Sequence, residues 1–467
     1  MNQFPVGFLI GVATSSYQIE GAWDVGGKGE NIWDRLLHTH PEIADDKSNG
    51  DISCDSYFMY QDDIKIIKDI GFDFHRFSIS WARILPSGEG HDLNIEGINH
   101  YKHFINELLA NGIQPMITMY HWDLPQKLQD MGGWLNPLIV DHFVDYAKIL
   151  FENYGDQVKY WTTINEPLES SRGYGDVSFA PMLNLHGVGN YLAGHHMLLA
   201  HAKAYRLYDE LFRNRQKGFV SIGISGLYSF PASDSEEDKE AAERDMQFSI
   251  GWIAHPIFSK EGDYPEVMRQ RVDMNSKAEG RNRSRLPVFS TEEVALIRGT
   301  ADFFSYQHYT SHEVANGEEG KTPSHERDSG VVIQHNKNWR SSNITWLKVV
   351  PEGLRLVVNW IKNQYDNPNI FITESGYGSM SEKSLDDDDR IYYFREYLNE
   401  LLKSIHEDKC RVMGYTAWSL LDNFEWLMGY TAQFGLVHVD FKDPERKRQL
   451  KKSSEFFKKL LKTRCID

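Results

Sequence analysis

Cysteine is scarce in this sequence, and the three cysteines present, Cys54, Cys410 and Cys465, are widely spaced. They form no Cys-x-x-Cys pair, so neither a disulfide framework nor a zinc ribbon is supported. The histidines also show no spacing typical of metal ligands. The sequence therefore predicts no metal and no other cofactor.

Long apolar runs and an excess of basic residues are missing as well. No uninterrupted apolar stretch approaches the roughly 18 residues of a membrane span, so we expect a soluble protein without a membrane partner. The 50 Lys and Arg residues are outnumbered by 67 Asp and Glu, which gives a formal charge of −17. Nucleic-acid binding relies on Lys and Arg to neutralise phosphates, so a nucleic-acid partner is not expected.

The beginning of the chain lacks a basic segment followed by an apolar run, which is the pattern of a secretory signal peptide. The sequence is therefore compatible with a cytoplasmic protein or with a secreted chain that has been processed. Two glycosylation sequons, Asn282-Arg283-Ser284 and Asn343-Ile344-Thr345, slightly favour secretion.

Two strand-like segments each end in a glutamate. The run Trp161-Thr162-Thr163-Ile164-Asn165-Glu166 is stopped by Pro167, which disfavours helical backbone at Glu166 and predicts an extended or turn conformation there. The later run Phe371-Ile372-Thr373-Glu374 is followed by Ser375-Gly376. The two glutamates are far apart in the sequence, so only the fold can bring them together. A parallel barrel does so, because it gathers its strand ends at one mouth.

Strand-like and helical patterns alternate along the chain. The predicted strands are Phe8–Thr14, Phe72–Ser80, Ile113–Tyr120, Val158–Asn165, Val220–Ser225, Ala301–Gln307, Ile370–Glu374 and Val412–Trp418. The predicted helices include Tyr57–Ile70, Gly97–Asn111, Ile139–Tyr154, Leu192–Phe212, Pro351–Gln364 and a basic amphipathic helix over Pro444–Leu461. The polar stretch Asn316–Asn343 is long enough to be an insertion. We therefore expect an α/β fold, a single (β/α)8 TIM barrel with loop insertions, that spans residues 1–467 as one domain.

Polar and aromatic side chains concentrate at the predicted strand ends. They are Gln18, Arg76, His121, Trp122, Asn165, Glu166, Gln307, Tyr309, Glu374, Trp418, Glu425 and Trp426. Carboxylates, amides and an imidazole suit the hydroxyls of a sugar, and indole rings suit its apolar face. We therefore expect a small-molecule sugar substrate at this mouth.

Simpler structural explanations exist for single residues in this set. Arg76 could form a core ion pair, His121 could be a buried histidine with satisfied hydrogen bonds, and Trp418 could belong to the core. Glu166 and Glu374 could cap neighbouring helices. Two glutamates at strand ends of one barrel make that explanation less favourable than a catalytic pair.

Several segments resemble motifs of glycoside hydrolase family one, and the resemblance extends from Gly11 to Gly435. The similar runs are Ser16-Tyr17-Gln18-Ile19-Glu20-Gly21, Arg76-Phe77-Ser78-Ile79-Ser80-Trp81, His121-Trp122-Asp123-Leu124-Pro125, Asn165-Glu166-Pro167, Ile372-Thr373-Glu374 and Gly414 to Trp426. The chain most resembles insect digestive β-glucosidases and the related insect myrosinases, which are thioglucosidases. Together these motifs are highly specific.

The resemblance implies a retaining β-glucosidase that hydrolyses terminal β-D-glucosyl residues from oligosaccharides or from aryl and alkyl glucosides. It implies that Glu166 is the acid/base and Glu374 the nucleophile. It assigns substrate binding to Gln18, His121, Trp122, Asn165, Tyr309, Trp346, Trp418, Glu425 and Trp426, with Trp418 beneath the sugar and Trp346 against the aglycone. Arg76 and Tyr309 would support the nucleophile.

Physical chemistry agrees with these roles. Retaining hydrolysis requires two carboxyl groups about 5 Å apart, one ionised and one protonated. Arg76 would keep Glu374 ionised, and a dry setting would raise the pKa of Glu166.

The sequence departs from the family pattern at two positions. Gln307 and Ser375 stand where the family usually has Asn, and we expect altered rate or subsite geometry rather than loss of chemistry. Glu425 would repel a 6-phosphate, so phosphorylated sugars are disfavoured.

Two other functions remain open at this point. One is a thioglucosidase acting on glucosinolates, in which Arg172 or His312 would meet the substrate sulfate. The other is a non-catalytic relative that binds sugar or protein, although the presence of both glutamates argues against it. The sequence leaves the aglycone, the preference among gluco, galacto and fuco configurations, and the choice between monomer and homodimer undecided.

Overall fold

The computed structural model describes residues 3–318, 320–380 and 385–466. Eight parallel strands close into a barrel in which sequence neighbours are also spatial neighbours. We label them β1 to β8, with the bounds Leu9–Ala13, Phe74–Ser78, Gln114–Tyr120, Tyr160–Asn165, Phe219–Ser225, Phe304–Gln307, Ile370–Ser375 and Val412–Trp418. The predicted (β/α)8 barrel is therefore confirmed.

Helices follow the barrel strands and cover their outer surface. The longer ones are Ser56–Ile70, Ile95–Ala110, Ile139–Tyr154, Gly189–Leu211, Glu236–Met246, Glu266–Ala278, Pro351–Gln364, Asp388–His406 and Lys452–Thr463. Shorter helices are Ser16–Ile19, Ile32–Thr39, Trp81–Ile84, Gln126–Asp130, Pro167–Gly175, Arg213–Gln216, Trp252–Phe258, Thr291–Ile297 and His325–Ser329. Because helices cover the outside and side chains fill the inside, the barrel strands are buried on both faces.

The two ends of the barrel interior differ in chemistry. Near the N-terminal ends of the strands, Phe74, Met116, Phe303 and Phe371 form an apolar cluster. The rings of Phe74 and Phe371 meet edge to face at 5.4 Å, although β1 and β8 separate their strands. Side chains alternate along a strand, so Arg76 enters the same interior one layer above Phe74. The barrel interior is therefore apolar near the N-terminal ends of the strands and becomes polar from the layer of Arg76 onward.

The predicted insertion Asn316–Asn343 contains regular structure. Strand Ser311–Asn316 pairs with Val331–Gln334 and with Tyr228–Pro231 in a three-stranded sheet outside the barrel. Helix His325–Ser329 is anchored where Asp328 forms a buried ion pair with Arg285 at 2.6 Å. The polar composition of Asn316–Asn343 therefore reflects a surface sheet and a buried ion pair rather than an irregular loop.

The predicted helix Pro444–Leu461 is wrong at its start. Residues Arg448–Leu450 form a short strand that pairs with Val437–Val439, and the helix covers Lys452–Thr463. Arg448 is held away from helical geometry by a buried ion pair with Asp63 at 2.9 Å, a contact that helical periodicity cannot reveal.

None of the helices within the described ranges is both long enough and apolar enough to cross a membrane.

Candidate active site

Arg76 of β2 contacts two other strands in the barrel interior. Its Nη1 donates a hydrogen bond to Oε1 of Glu374 on β7, and its Nη2 donates to Oδ1 of Asn165 on β4 at 2.6 Å. All three side chains are buried. A buried guanidinium is strongly destabilising unless it is paired. The carboxylate and the amide provide that pairing, so Arg76 fixes the two strand ends relative to each other.

Glu374 accepts two further hydrogen bonds. Tyr309 donates its hydroxyl to Oε2 at 2.8 Å, and Gln307 donates Nε2 to Oε1 at 3.3 Å. Burial, reinforced by the charge of Glu374, raises the pKa of Tyr309 well above its ordinary value, so its hydroxyl keeps its proton and remains a donor. Hydrogen bonds of this kind stabilise an ionised carboxylate.

The amide of Asn165 has one orientation that suits its neighbours. Its Oδ1 accepts from Arg76 and, at 2.5 Å, from Nε2 of Gln307. Both partners are donors, so Nδ2 points the other way, 3.2 Å from Oε2 of Glu166 and 3.3 Å from Nε2 of His121. Burial and then the charge of Arg76 lower the pKa of His121 well below its ordinary value. His121 is therefore neutral, and Nε2 is the nitrogen that accepts.

Glu166 follows β4 and occupies the N-cap position of helix Pro167–Gly175. The sequence predicts an extended or turn conformation, whereas the backbone is left-handed with φ of 46°. Non-glycine residues adopt this region uncommonly, and such strain clusters at functional sites. The carboxylate makes no capping hydrogen bond to the helix. The capping explanation considered for Glu166 therefore does not hold.

The surroundings of Glu166 favour its protonated form. Burial is the larger cause and the charge of Glu374 the second, and together they raise the pKa of Glu166 well above its usual range. Its Oε2 faces Nδ2 of Asn165. Two buried carboxyl groups thus differ in setting: three donors surround Glu374, and one amide contacts Glu166.

Glu425 and Gln18 form a second polar pair in the segments that follow β8 and β1, with Gln18 in the short helix Ser16–Ile19. Nε2 of Gln18 lies 3.0 Å from Oδ1 of Asn423, 2.9 Å from the carbonyl of Phe424 and 3.3 Å from Oε2 of Glu425. The amide has two hydrogens for three acceptors, and the contact with Glu425 is the longest. Burial and the charge of Glu374 raise the pKa of Glu425 to about 8.

Three indole rings surround His121. The rings of Trp418 and Trp426 lie nearly parallel to the imidazole, with centroids 5.9 Å and 6.0 Å away. Trp122 contacts Trp426 at 4.8 Å, and its Nε1 donates to the carbonyl of Asn165 at 3.0 Å. Trp122 and Trp426 also have left-handed backbone, with φ of 74° and 51°. These rings line the cluster of carboxyl and amide groups on one side.

Trp346 lies at the edge of the cluster. Its side chain is 47% exposed, and its ring stacks on Phe434 with centroids 6.4 Å apart. It also meets Tyr309 edge to face at 6.0 Å. Trp346 therefore offers an open aromatic surface next to the hydroxyl that contacts Glu374.

Comparison with known proteins identifies the family. A family model described as glycosyl hydrolase family 1 matches residues 1–465. The chain belongs to glycosyl hydrolase family 1. Myrosinase 1 of Brevicoryne brassicae is 50% identical over 99% of both chains, and the cytosolic beta-glucosidase of Homo sapiens is 42% identical over 99% of both. A solved aphid myrosinase structure matches with a TM-score of 0.95 at 50% identity, covering 98% of this chain and 99% of that one. The family predicted from the sequence is confirmed.

Arg172 and His312, the two side chains considered for a substrate sulfate, both lie against acidic side chains. Arg172 lies 3.2 Å from Glu169 and 3.8 Å from Asp176. His312 lies 2.7 Å from Oδ2 of Asp245. Each positive or protonatable group therefore already has an acidic partner in the protein.

Sequence reasoning missed two tyrosines that contact the candidate site from outside the barrel. Tyr393 and Tyr397 lie four residues apart on helix Asp388–His406, and both hydroxyls donate to the backbone carbonyl of Tyr309, at 2.8 Å and 3.2 Å. The sequence signal that could have revealed them is a pair of tyrosines, spaced four residues apart, on the buried face of an amphipathic helix. Within the described residues, no group of three or more His, Cys, Asp or Glu side chains is arranged to hold a metal ion.

Proposed function

We propose that this protein is a retaining β-glucosidase in which Glu374 is the nucleophile and Glu166 the acid/base. The observation that supports this most is the contrast between the two carboxyl groups. Arg76, Gln307 and Tyr309 donate hydrogen bonds to Glu374, whereas burial and the charge of Glu374 raise the pKa of Glu166. One group suited to attack and one that carries a proton are the requirements of a double displacement.

In the first step, the carboxylate of Glu374 attacks the anomeric carbon of a β-glucoside. The bond between that carbon and the glycosidic oxygen breaks, and Glu166 gives its proton to the departing oxygen. The product is a glucosyl ester on Glu374, and Glu166 is left ionised. Esterification of Glu374 removes the charge that raises the pKa of Glu166, so this pKa falls and the ionised form of Glu166, which the second step needs as a base, is stabilised.

In the second step, Glu166 takes a proton from water, and the water oxygen attacks the anomeric carbon. The ester bond to Glu374 breaks, which restores the ionised nucleophile and the protonated acid. Two inversions at the same carbon give net retention. Arg76 and Tyr309 hold Glu374 in place throughout, so the leaving carboxylate departs into prepared hydrogen bonds.

The polar groups next to these carboxyls suit the hydroxyls of glucose. Gln18 and Glu425 share a long contact of 3.3 Å with more acceptors than hydrogens, and a sugar hydroxyl between them would satisfy both. His121 and Asn165 offer a further imidazole and amide, while Trp418 and Trp426 offer apolar faces. Trp346 is the aromatic surface available to the aglycone.

A neutral aglycone fits the electrostatics better than a sulfated one. Arg172 and His312 are paired with Glu169 and Asp245, and the chain carries a formal charge of −17. A sulfate would have to compete with Glu169 for Arg172 and with Asp245 for His312. The second candidate, a thioglucosidase, is favoured by the 50% identity to Myrosinase 1 over nearly the whole chain.

The test is a side-by-side rate comparison on 4-nitrophenyl β-glucoside, cellobiose and a glucosinolate, with Glu374→Ala as the control for activity from this site. We expect turnover of the first two and poor turnover of the glucosinolate. A preference for the glucosinolate that falls in Arg172→Ala or His312→Ala would establish the thioglucosidase instead. Absence of turnover on all three would support a binding protein.

A further inference from the structure

Tyr393 contacts the segments that carry both partners of the hydrogen bond between Tyr309 and Glu374. Its hydroxyl donates to the backbone carbonyl of Tyr309 at 2.8 Å and lies 3.1 Å from Oγ of Ser375, the residue after Glu374. Tyr393 is fully buried on helix Asp388–His406. One hydroxyl therefore connects the loop that carries the donor with the strand end that carries the acceptor.

The hydrogens in this network can be placed so that each of these contacts has a donor and an acceptor. A carbonyl oxygen can only accept, so the single hydrogen of the Tyr393 hydroxyl points to Tyr309. Ser375 must then donate its own hydrogen to the oxygen of Tyr393. Tyr397 also donates to the Tyr309 carbonyl at 3.2 Å, and its oxygen accepts from the backbone N–H of Val350 at 3.0 Å. Both lone pairs of the Tyr309 carbonyl are then used.

We propose that Tyr393 is a positioning residue that sets the hydrogen bond from Tyr309 to Glu374 through its bonds to the Tyr309 backbone and to Ser375. This inference rests on the proposed function, because it takes Glu374 as the attacking carboxylate. Without the Tyr393 hydroxyl, the Tyr309 loop and the end of β7 lose their shared contact, and the Tyr309 hydroxyl is held less closely to Oε2. A carboxylate that loses a donor is protonated more easily.

The two tyrosines provide a matched comparison. Their rings stack with centroids 3.9 Å apart and an angle of 22°, so phenylalanine at either position keeps the ring packing and removes only the hydroxyl. Both variants lose one hydrogen bond to the same carbonyl. Only Tyr393 also contacts Ser375. A difference between Tyr393→Phe and Tyr397→Phe therefore reports on the connection to the Glu374 strand rather than on loop anchoring in general.

The experiment measures kcat/KM for 4-nitrophenyl β-glucoside against pH in the parent, Tyr393→Phe, Tyr397→Phe, Tyr309→Phe and the double variant of Tyr309 and Tyr393. We expect the acid limb of Tyr393→Phe to move to higher pH by roughly half a unit, with a loss of up to about threefold on the acid side of the optimum. Tyr397→Phe should move the limb less. The double variant should match Tyr309→Phe alone, because no hydroxyl remains to be positioned.

An acid limb in Tyr393→Phe that coincides with the parent limb would overturn the role, as would a full shift that persists in the Tyr309→Phe background. If Tyr393→Phe does not fold, Ser375→Ala tests the same connection and should shift the limb in the same direction; an unchanged limb there contradicts the role. A parent enzyme inactive on β-glucosides would overturn the proposed function, whereas an active parent whose pH profile is unchanged in Tyr309→Phe would overturn the role of Tyr393 alone.

Discussion

Asn165 and Glu374 share two hydrogen-bond donors. Arg76 and Gln307 each donate both to Oδ1 of Asn165 and to Oε1 of Glu374, so an amide on β4 and a carboxylate on β7 are held by the same pair of side chains. The other end of the Asn165 amide contacts Glu166. A substitution of Arg76 or Gln307 therefore affects Glu374 directly and Glu166 through Asn165.

The first prediction concerns Gln307. Gln307→Asn shortens the side chain by one methylene and withdraws its amide from Asn165 and Glu374, so we expect kcat/KM on an aryl glucoside to fall about fivefold to twentyfold. Gln307→Glu should lose more, because a carboxylate would face Glu374 and could not donate. Steady-state rates of both variants test this. Higher activity in the Glu variant than in the Asn variant would contradict the shared-donor account.

Glu166→Gln should separate substrates by leaving group. The amide cannot give a proton, so hydrolysis of cellobiose should fall by roughly 10²–10⁴-fold, whereas a dinitrophenyl β-glucoside, whose leaving group needs no proton, should still form the glucosyl ester. The ester should then accumulate and give a burst, because no base activates water. Glu152→Gln, at a side chain that is 49% exposed, is the control and should stay near parent activity. Equal losses on both substrates would argue against an acid/base role for Glu166.

Glu425 should make stability depend on pH. Burial and the charge of Glu374 raise its pKa from 4.5 to about 8, so the folded state holds a proton that the unfolded state has lost between those values. The free energy of unfolding contributed by this group therefore falls as pH rises from about 4.5 to about 8. Glu425→Gln removes this effect.

Thermal melts at pH 5 and pH 8.5 measure the difference. The midpoint of Glu425→Gln relative to the parent should rise by a few degrees between the two pH values. Glu152→Gln, at a side chain 49% exposed, serves as the control and should show no such trend. A relative midpoint that stays constant or falls with pH would contradict the burial argument.

Trp346→Ala should weaken recognition of the aglycone alone. The ring is 47% exposed and stacked on Phe434, and an aromatic contact of this kind is worth about 1 kcal/mol, or roughly fivefold in affinity. We expect KM for 4-nitrophenyl β-glucoside to rise by that factor, while inhibition by glucose, which has no aglycone, stays unchanged. Weaker inhibition by glucose would place Trp346 against the sugar instead.

The barrel could be predicted because its causes are local. Alternating strand and helix patterns determine the eight units, and polar residues at strand ends are visible in the sequence itself. Phe74 and Arg76 are two residues apart on β2, so side-chain alternation places both in the barrel interior, Phe74 in the apolar cluster and Arg76 in the polar layer next to it. The same local reasoning gave the wrong start for the last helix, because the ion pair between Arg448 and Asp63 joins distant segments.

The orientation and pairing of the site residues could not be predicted in this way. The left-handed backbone of Glu166, the direction of the Asn165 amide and the contact of Tyr393 with Ser375 depend on neighbours from other strands and helices. Arg172 and His312 looked equally available for a sulfate in the sequence. The structure gives each of them a carboxylate partner, Glu169 for Arg172 and Asp245 for His312, and these pairings are not visible in the sequence.

The most direct test of the two carboxyl roles is the stereochemistry of azide rescue in Glu374→Ala. This variant should lose hydrolysis by several orders of magnitude, and azide should restore turnover of a dinitrophenyl β-glucoside by entering the space left by the nucleophile, on the α face of the sugar. NMR of the product should show the α-glucosyl azide. A β-glucosyl azide from this variant would reverse the roles of Glu374 and Glu166.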